Sequence, residues 1–283
     1  TTAAVFTQNA FRAAPVLVAE RNSANGDAKY ILINSGNANA GTGAPGMAAC
    51  EQSCEALAAA TQTNSDQVLP FSTGVIGEVL PVDKLESALP DAIHDLRATN
   101  WDRASRAIMT TDTVPKLRSK VVILEDGRRC QLVGMSKGSG MIQPNMATML
   151  GFIATDASIA REMLDGMLRT AVNVSFNRIT VDGDTSTNDA VTLTATGRSD
   201  VVITPTDRAS ALAFQAALTE LATELAQDIV RDGEGATKFV EITVSSASSE
   251  AEADQVARTV AHSPLVKAAL FASDPNWGRI LAA

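Results

Sequence analysis

Residues Lys137–Leu150, which read KGSGMIQPNMATML, are the most informative stretch of this sequence. The stretch places Thr148 directly after the small residue Ala147, at the end of a glycine-rich loop. A threonine hydroxyl is a poor nucleophile unless a base lies beside it, and one available base is the threonine's own α-amine. That amine exists only when the chain is cut before the threonine. The stretch therefore predicts cleavage between Ala147 and Thr148 and a nucleophile at Thr148.

Composition limits the classes of protein to which this chain can belong. The chain has 283 residues, of which 45% are hydrophobic and 19% charged, a globular composition with room for two domains or one large α/β unit. A net charge of −9 without a basic stripe argues against nucleic-acid binding. No apolar run approaches the roughly 18 residues of a membrane span. Three cysteines without disulfide-framework spacing favour the reducing cytoplasm.

Hydrophobic periodicity predicts a mixed α/β fold. Short apolar or alternating runs predict strands at residues 29–34, 121–124, 190–196 and 239–244. Apolar residues at helical spacing predict helices at residues 47–61, 159–172, 206–232 and 250–261.

Four other patterns suggest rival chemistries but fit them poorly. Gly41–Gly46 matches G-x-G-x-x-G, yet six residues separate it from the preceding strand, so a plain turn is favoured over a dinucleotide site. Gly134–Gly138 matches a nucleophile elbow but lacks the helix that must come directly after it. Asp182–Asn188 begins like a calcium loop without its required glycine and glutamate. The two histidines, His94 and His262, have no partners at zinc spacing, so no metal site is expected.

Three polar segments suit a site for acyl transfer. Ser72–Gly77 joins a small hydroxyl residue to glycine, which can direct donors at a developing oxyanion. Thr110–Thr113 is a run of hydroxyls that could line a polar pocket. Gly233–Lys238 holds one carboxylate, Glu234, between two glycines, where it could meet an ammonium group.

Taken together, these segments resemble the ornithine acetyltransferase family, the monofunctional or bifunctional glutamate N-acetyltransferases of the arginine pathway. The order and spacing of the matches are specific, and they run along nearly the whole chain: Ala3–Thr7, Asn34–Ala40, Ser72–Gly77, Thr110–Thr113, Lys137–Ile142, Ala147–Leu150, Asp182–Asp189, Gly233–Lys238 and Asp274–Arg279.

The resemblance implies an α/β fold with two sheets flanked by helices and a chain that cleaves itself between Ala147 and Thr148. Residues 1–147 would form an α-chain portion that carries the oxyanion-hole loop, and residues 148–283 a β-chain portion that begins at the nucleophile. The implied roles are nucleophile for Thr148, oxyanion hole for Thr73 and Gly74, and substrate binding for Thr111, Lys137, Thr148 and Glu234.

The implied reaction is ping-pong. Thr148 takes the acetyl group from N-acetylornithine, ornithine leaves, and glutamate accepts the group to form N-acetylglutamate, without a cofactor. Acetyl-CoA stays open as a second donor. The α and β chains are expected to remain together as an α2β2 assembly in the cytoplasm. Family members continue beyond the match at Asp274–Arg279, so a C-terminal segment that completes the substrate site is expected outside this chain.

Other functions remain open at this point. An aminopeptidase or amidase with an N-terminal threonine would use water as the acceptor in place of an amine. An acetyltransferase of specialised metabolism would use a different amine. A non-catalytic or dinucleotide-binding protein would use Gly41–Gly46.

Overall fold

The computed structural model describes residues 1–25, 28–143 and 149–283. Within these ranges the strands are β1 (Thr2–Phe6), β2 (Tyr30–Asn37), β3 (Val68–Val75), β4 (Lys116–Ile123), β5 (Arg129–Lys137), β6 (Leu150–Thr155), β7 (Ser158–Ile159), β8 (Ala190–Ala195) and β9 (Val202–Ile203). The helices are α1 (Ala14–Ala24), α2 (Gly43–Thr61), α3 (Val82–His94), α4 (Trp101–Ala107), α5 (Arg161–Val174), α6 (Arg208–Arg231), α7 (Glu250–His262), α8 (Pro264–Phe271) and α9 (Trp277–Ala282).

The largest sheet has five strands in the order β1-β8-β6-β5-β4. Strands β6 and β8 are parallel, and the other neighbouring pairs are antiparallel. Strand β5 ends at Lys137 and pairs with β6, which begins at Leu150. The portions of the chain before and after position 148 therefore share one sheet.

Alternation along the strands divides the side chains of this sheet between two cores. Leu132 and Ile153 face α5 and α6, whereas Met135 and Phe152 face the opposite side. Since successive side chains of a strand point to opposite faces, β6 and β8, which are buried along nearly their whole length, are covered on both faces, whereas the edge strand β4 keeps exposed residues such as Val121 and Ile123.

A second sheet, formed by the parallel pair β2 and β3, lies against the face of the first that carries Met135 and Phe152. Phe71 of β3 meets Phe152 of β6 edge-on, with ring centroids 5.1 Å apart. The outer face of this smaller sheet packs on α1, α2 and α3 through residues that include Val18, Leu57 and Leu89. The predicted α/β fold, with two sheets flanked by helices, is confirmed.

Local predictions differ from the structure in two respects. Residues 239–244 do not form the predicted strand, because no neighbouring strand pairs with them among the described residues; Phe239 instead lies under the guanidinium of Arg231. Helix α6 is capped by Asp207, whose carboxylate accepts from the Ser210 amide, and not by Thr206. Of the helices in the described ranges, none is long and apolar enough to cross a bilayer.

A buried ion network ties β4 to the end of α6. The Lys116 ammonium donates to Asp112 Oδ1 and to Asp232 Oδ2, each at 2.6 Å. Asp232 also accepts from the amide and the hydroxyl of Thr113. All three charged side chains are at most 5% exposed. Removing one partner from such a network leaves charge buried without compensation, which costs far more than the loss of a surface pair.

We expect Lys116→Met to destabilise the protein by about 3–5 kcal/mol, because Asp112 and Asp232 would lose their shared cation. The matched control is Lys120→Met, at another lysine of β4. It removes the more exposed ion pairs to Glu220 and Glu224 of α6 and should cost about 1 kcal/mol or less. Urea unfolding monitored by circular dichroism measures both. Equal losses in the two variants would contradict the role given to the network.

Candidate active site

The carboxyl end of β3 supplies Thr73 and Gly74. Gly74 has a φ of +129°, and a Cβ at this position would overlap the backbone carbon of Gly36 on β2. Only glycine fits, because the clash is with backbone that the β2–β3 pairing holds in place. The two strands thus fix the peptide between Thr73 and Gly74.

The last residue of β5, Lys137, directs its ammonium at the side chain of Thr73. Lys137 Nζ donates to Thr73 Oγ1 at 2.9 Å and to Thr110 Oγ1 at 2.8 Å. Burial lowers the pKa of Lys137, and the nearby carboxylate of Asp112 opposes this effect. Asp112 Oδ2 lies 3.9 Å from the ammonium. Lys137 therefore stands at the meeting point of β3, β5 and the loop that precedes β4.

Asp112 organises that loop around the end of β5. Its carboxylate accepts from the Gly138 amide at 2.7 Å and from the Thr110 amide at 3.2 Å, in addition to Lys116. Burial alone would raise the pKa of Asp112. The bonds from Gly138 and Lys116 outweigh burial and hold the pKa below its ordinary value. The aspartate is thus ionised at neutral pH and compensates the buried cations.

Ser139 links the two remaining substrate-binding candidates. Its hydroxyl lies 2.7 Å from Thr111 Oγ1, and its carbonyl accepts from the Glu234 amide at 2.6 Å. A Cβ on Gly140 would lie 2.6 Å from the carboxyl carbon of Glu234, so the carboxylate packs directly on that glycine. Glu234 is near enough to Lys137 for its charge to raise the lysine pKa.

The structure thus gathers Thr73, Gly74, Thr111, Lys137 and Glu234 around the end of β5. The predicted cleavage-site residues Ala147 and Thr148 lie outside the described residues.

Described residues on both sides of the 144–148 segment are well anchored. On the near side, Asp182 accepts from the amides of Met141 and Ile142. On the far side, Leu150 pairs with Lys137 in the sheet. The chain therefore enters and leaves this segment beside the gathered residues.

Sequence reasoning did not single out Asp112 or Ser139, although both fall within matched segments. In the sequence, Asp112 is marked only as a polar residue between two threonines, and Ser139 only as one between two glycines. The use of each depends on a partner that is distant in sequence: Asp232 shares the Lys116 ammonium with Asp112, and the backbone amide of Glu234 donates to the carbonyl of Ser139.

The bond from Lys137 determines where the hydroxyl proton of Thr73 can point. An ammonium donates and never accepts, so Thr73 Oγ1 must be the acceptor of the bond from Lys137. The Thr73 hydroxyl then keeps its own proton for another acceptor. A hydroxyl fixed in this way beside a constrained glycine peptide is suited to stabilising the oxyanion of acyl transfer.

The rival motifs have other structural explanations. Ser136 of the elbow-like motif lies inside β5 and is buried, and no helix comes directly after the motif in the described part of the chain. In the glycine-rich turn, the Thr42 hydroxyl and the Asn39 amide oxygen lie directly against Gly46, so the last glycine of the motif is covered, and α2 begins inside the motif at Gly43. The carboxylate of Asp182 accepts from the backbone amides of Met141 and Ile142. Among described residues, no group of three or more His, Cys, Asp or Glu side chains could hold a metal ion.

Comparisons with known proteins identify the relatives of this chain. The model of the ArgJ family matches residues 1–283. The arginine biosynthesis bifunctional protein ArgJ of Methylococcus capsulatus is 57% identical over 281 residues, covering 99% of this chain and 68% of the relative. The protein of the same name from Pseudomonas syringae pv. tomato is 54% identical over 284 residues, covering 99% of this chain and 69% of the relative.

Two solved structures are also similar over part of the chain. The arginine biosynthesis bifunctional protein ArgJ of Bacillus halodurans, known from a crystal structure, is 36% identical. The match covers 52% of this chain and 75% of that protein, with a TM-score of 0.46. The ornithine acetyltransferase of Mycobacterium tuberculosis, solved with ornithine, is 36% identical. The match covers 51% of this chain and 75% of that protein, with a TM-score of 0.46. On the family match and the identity of its relatives, the chain belongs to the ArgJ family, and the predicted membership of an N-acetyltransferase family of arginine biosynthesis is confirmed.

Proposed function

We propose that the whole protein transfers an acetyl group from N-acetylornithine to glutamate through an acetyl-Thr148 intermediate, after self-cleavage between Ala147 and Thr148. The observation that carries the proposal is the bond from buried Lys137 to Thr73 beside the constrained Gly74. The shared name of the relatives, arginine biosynthesis bifunctional protein ArgJ, supports the pathway.

Cleavage of the Ala147–Thr148 peptide bond adds one water and yields a carboxylate on Ala147 and an α-amine on Thr148. In the transfer, Thr148 Oγ attacks the acetyl carbonyl carbon while its proton passes to the α-amine. Thr73 and Gly74 donate to the oxyanion that forms, and each such donor contributes about 3 kcal/mol. The carbon–nitrogen bond breaks, the proton moves to the leaving amine of ornithine, and the acetyl ester remains. The amine of glutamate then attacks this ester in the reverse sequence.

The substrate groups match the charges of the site. An ammonium has three N–H donors, and Lys137 uses two of them on Thr73 and Thr110. The third is left for the α-carboxylate of the substrate. Glu234 supplies the negative charge for an amino group of ornithine. The Thr111 hydroxyl contacts the hydroxyl of Ser139, whose carbonyl accepts from the Glu234 amide.

Residues 1–147 and 148–283 would be the α and β chains of this enzyme. Support for their staying together comes from β5 and β6, which flank the proposed cut and pair in register from Lys137↔Leu150 to Leu132↔Thr155. An α2β2 assembly, the use of acetyl-CoA and a cytoplasmic location remain predictions.

The first prediction concerns the cut. Intact mass of the full-length protein should show two chains that divide between Ala147 and Thr148. Thr148→Ala should give one uncut chain without transfer activity, because it removes the attacking hydroxyl. Thr148→Ser, which keeps a hydroxyl, is the matched control and should still be cut. An uncut and active wild-type protein would refute the proposal, and free acetate in place of N-acetylglutamate would favour an amidase.

The second prediction compares two glycines with positive φ. Gly74→Ala should lower transfer by about 100-fold or more, because its Cβ would displace the backbone of β2 and move an oxyanion donor. Gly77 has a φ of +87°, and a Cβ added there would meet no atom within 4 Å. Gly77→Ala should therefore retain activity within about threefold. Steady-state kinetics with N-acetylornithine and glutamate measure both variants, and similar losses would remove Gly74 from the oxyanion hole.

The third prediction concerns Lys137. Lys137→Met should lower kcat about 100-fold, from loss of the directed Thr73 hydroxyl, and should raise KM for N-acetylornithine, from loss of the carboxylate contact. In the unsubstituted enzyme, burial favours the neutral amine, so the cation is lost as pH rises through a pKa below the ordinary 10.5. The alkaline limb of kcat/KM should therefore lie below pH 10.5. A change in KM alone would limit Lys137 to substrate binding.

A further inference from the structure

The side-chain amide of Asn188 binds two backbone carbonyls next to the proposed oxyanion hole. Its nitrogen donates to Ala38 O at 2.7 Å and to Ser72 O at 3.0 Å. Its oxygen accepts from the hydroxyl of Thr187 at 2.6 Å. A carbonyl oxygen only accepts hydrogen bonds, so the amide nitrogen must be the atom that faces both carbonyls. The buried amide of Asn188 therefore uses both of its N–H groups on the backbone of residues 1–147.

These bonds fall where the pairing of β2 with β3 becomes irregular. The register is regular up to Gly36↔Gly74, whereas Asn37 faces both Thr73 and Val75. A bulge of this kind interrupts the ladder and bends the strand. Thr73 and Gly74 are therefore held by a regular ladder on one side only, and side-chain bonds at this point add a constraint that the ladder lacks.

The two carbonyls that Asn188 holds lie on either side of the proposed oxyanion donors. The Ser72 carbonyl belongs to the same planar peptide group as the Thr73 amide, so a bond that fixes this carbonyl also fixes the peptide that leads into Thr73. The Ala38 amide donates to the carbonyl of Val75 at 2.9 Å, so the bond to Ala38 holds the segment that faces the end of β3. One side chain thus restrains the chain before and after the two donors.

The backbone around Asn188 is well anchored. The carbonyl of Thr187 accepts from the Ala13 amide and the carbonyl of Asp189 from the Thr7 amide, each at 2.9 Å. The chain then enters β8, which lies between β1 and β6 in the five-stranded sheet. The larger sheet therefore sets the position of Asn188, and the amide carries that constraint to the smaller sheet.

We propose that Asn188 is a positioning residue that aligns Thr73 and Gly74 for the oxyanion; this inference rests on the proposed function. Asn188 acts through the peptide before Thr73 and does not itself donate to the oxyanion, because both of its N–H groups are already bonded. The portion of the chain before the proposed cut supplies the donors, and the portion after it holds them in place.

The test is Asn188→Ala in the full-length enzyme. We expect kcat to fall about 10- to 100-fold, because small displacements of a fixed donor have effects of this size. KM for N-acetylornithine should stay within about threefold, since the oxyanion forms only in the transition state and both half-reactions use the same donors. Steady-state kinetics with N-acetylornithine and glutamate measure both quantities.

The matched control is Asn22→Ala. Asn22 is also buried, and its amide nitrogen donates to two carbonyls, Ser65 O at 3.2 Å and Val68 O at 2.8 Å. Val68 is the first residue of β3, so this clamp holds the opposite end of the same strand. Both variants should lower the urea midpoint, but Asn22→Ala should leave kcat within about twofold because it acts away from the donors. An equal fall of kcat in the two variants would overturn the proposal.

A milder variant covers the case in which Asn188→Ala does not fold. Thr187→Val removes the hydroxyl that fixes the amide oxygen of Asn188 and leaves the asparagine in place. It should lower kcat about 3- to 10-fold at unchanged KM, because the amide loses one of its restraints. An unchanged kcat in Thr187→Val would contradict the proposal.

A double-mutant cycle with Thr73→Val tests whether Asn188 acts through the oxyanion donors. The fold loss caused by Asn188→Ala, or by Thr187→Val in its place, should be at least about threefold smaller when the Thr73 hydroxyl is already absent. Equal losses in the two backgrounds would overturn the role given to Asn188. Absence of transfer activity in the unsubstituted full-length enzyme would instead overturn the proposed function.

Discussion

The carboxylate of Asp112 is the interaction on which the site depends. It accepts from Lys116, from the amide of Gly138 and from the amide of Thr110. These three bonds join the start of β4, the end of β5 and the loop before β4 at one buried point. Because a buried carboxylate must have its acceptors filled, each of these segments has little freedom to move.

That constraint explains how a second lysine can be buried nearby. Lys137 loses hydration at the end of β5, and Asp112, Asp189 and Glu234 all act to keep it charged. Two cations and their surrounding carboxylates are thus balanced in a small volume. The balance places an ammonium beside Thr73 while both side chains stay buried. A fixed donor in such surroundings acts more strongly on developing charge than it would in water.

A second property of the site follows from the pairing of β5 with β6. Strands β5 and β6 continue on either side of the proposed cut, and the helices α5 and α6 cover the same face of both strands. A break in the backbone between these strands would leave the sheet bonds and the apolar contacts intact. The contacts that join β5 to β6 therefore do not require the covalent continuity of that loop.

Several helices and strands could be predicted from the sequence, because their apolar spacing is local: α5, α6 and α7 are predicted by it, as is β8. Residues 239–244 have the local pattern of a strand, but a strand also requires a partner, and none pairs with these residues in the described part of the chain. Likewise, the elbow pattern at Gly134–Gly138 has the right residue types, but its serine lies within a paired strand. The residue types of a motif do not reveal which strand will pair with it in space.

The residue types in the sequence set which functional groups the site has: the hydroxyls of Thr73 and Thr111, the ammonium of Lys137 and the carboxylate of Glu234. Which of these groups contact each other, and which are buried, follows only from the tertiary structure. It directed Lys137 at Thr73, brought Asp232 to Lys116 across more than a hundred residues, and left one oxygen of Asp189 buried without a partner among the described residues. The physical reason is that burial and hydrogen-bond satisfaction are set by neighbours distant in the chain, which residue spacing does not encode.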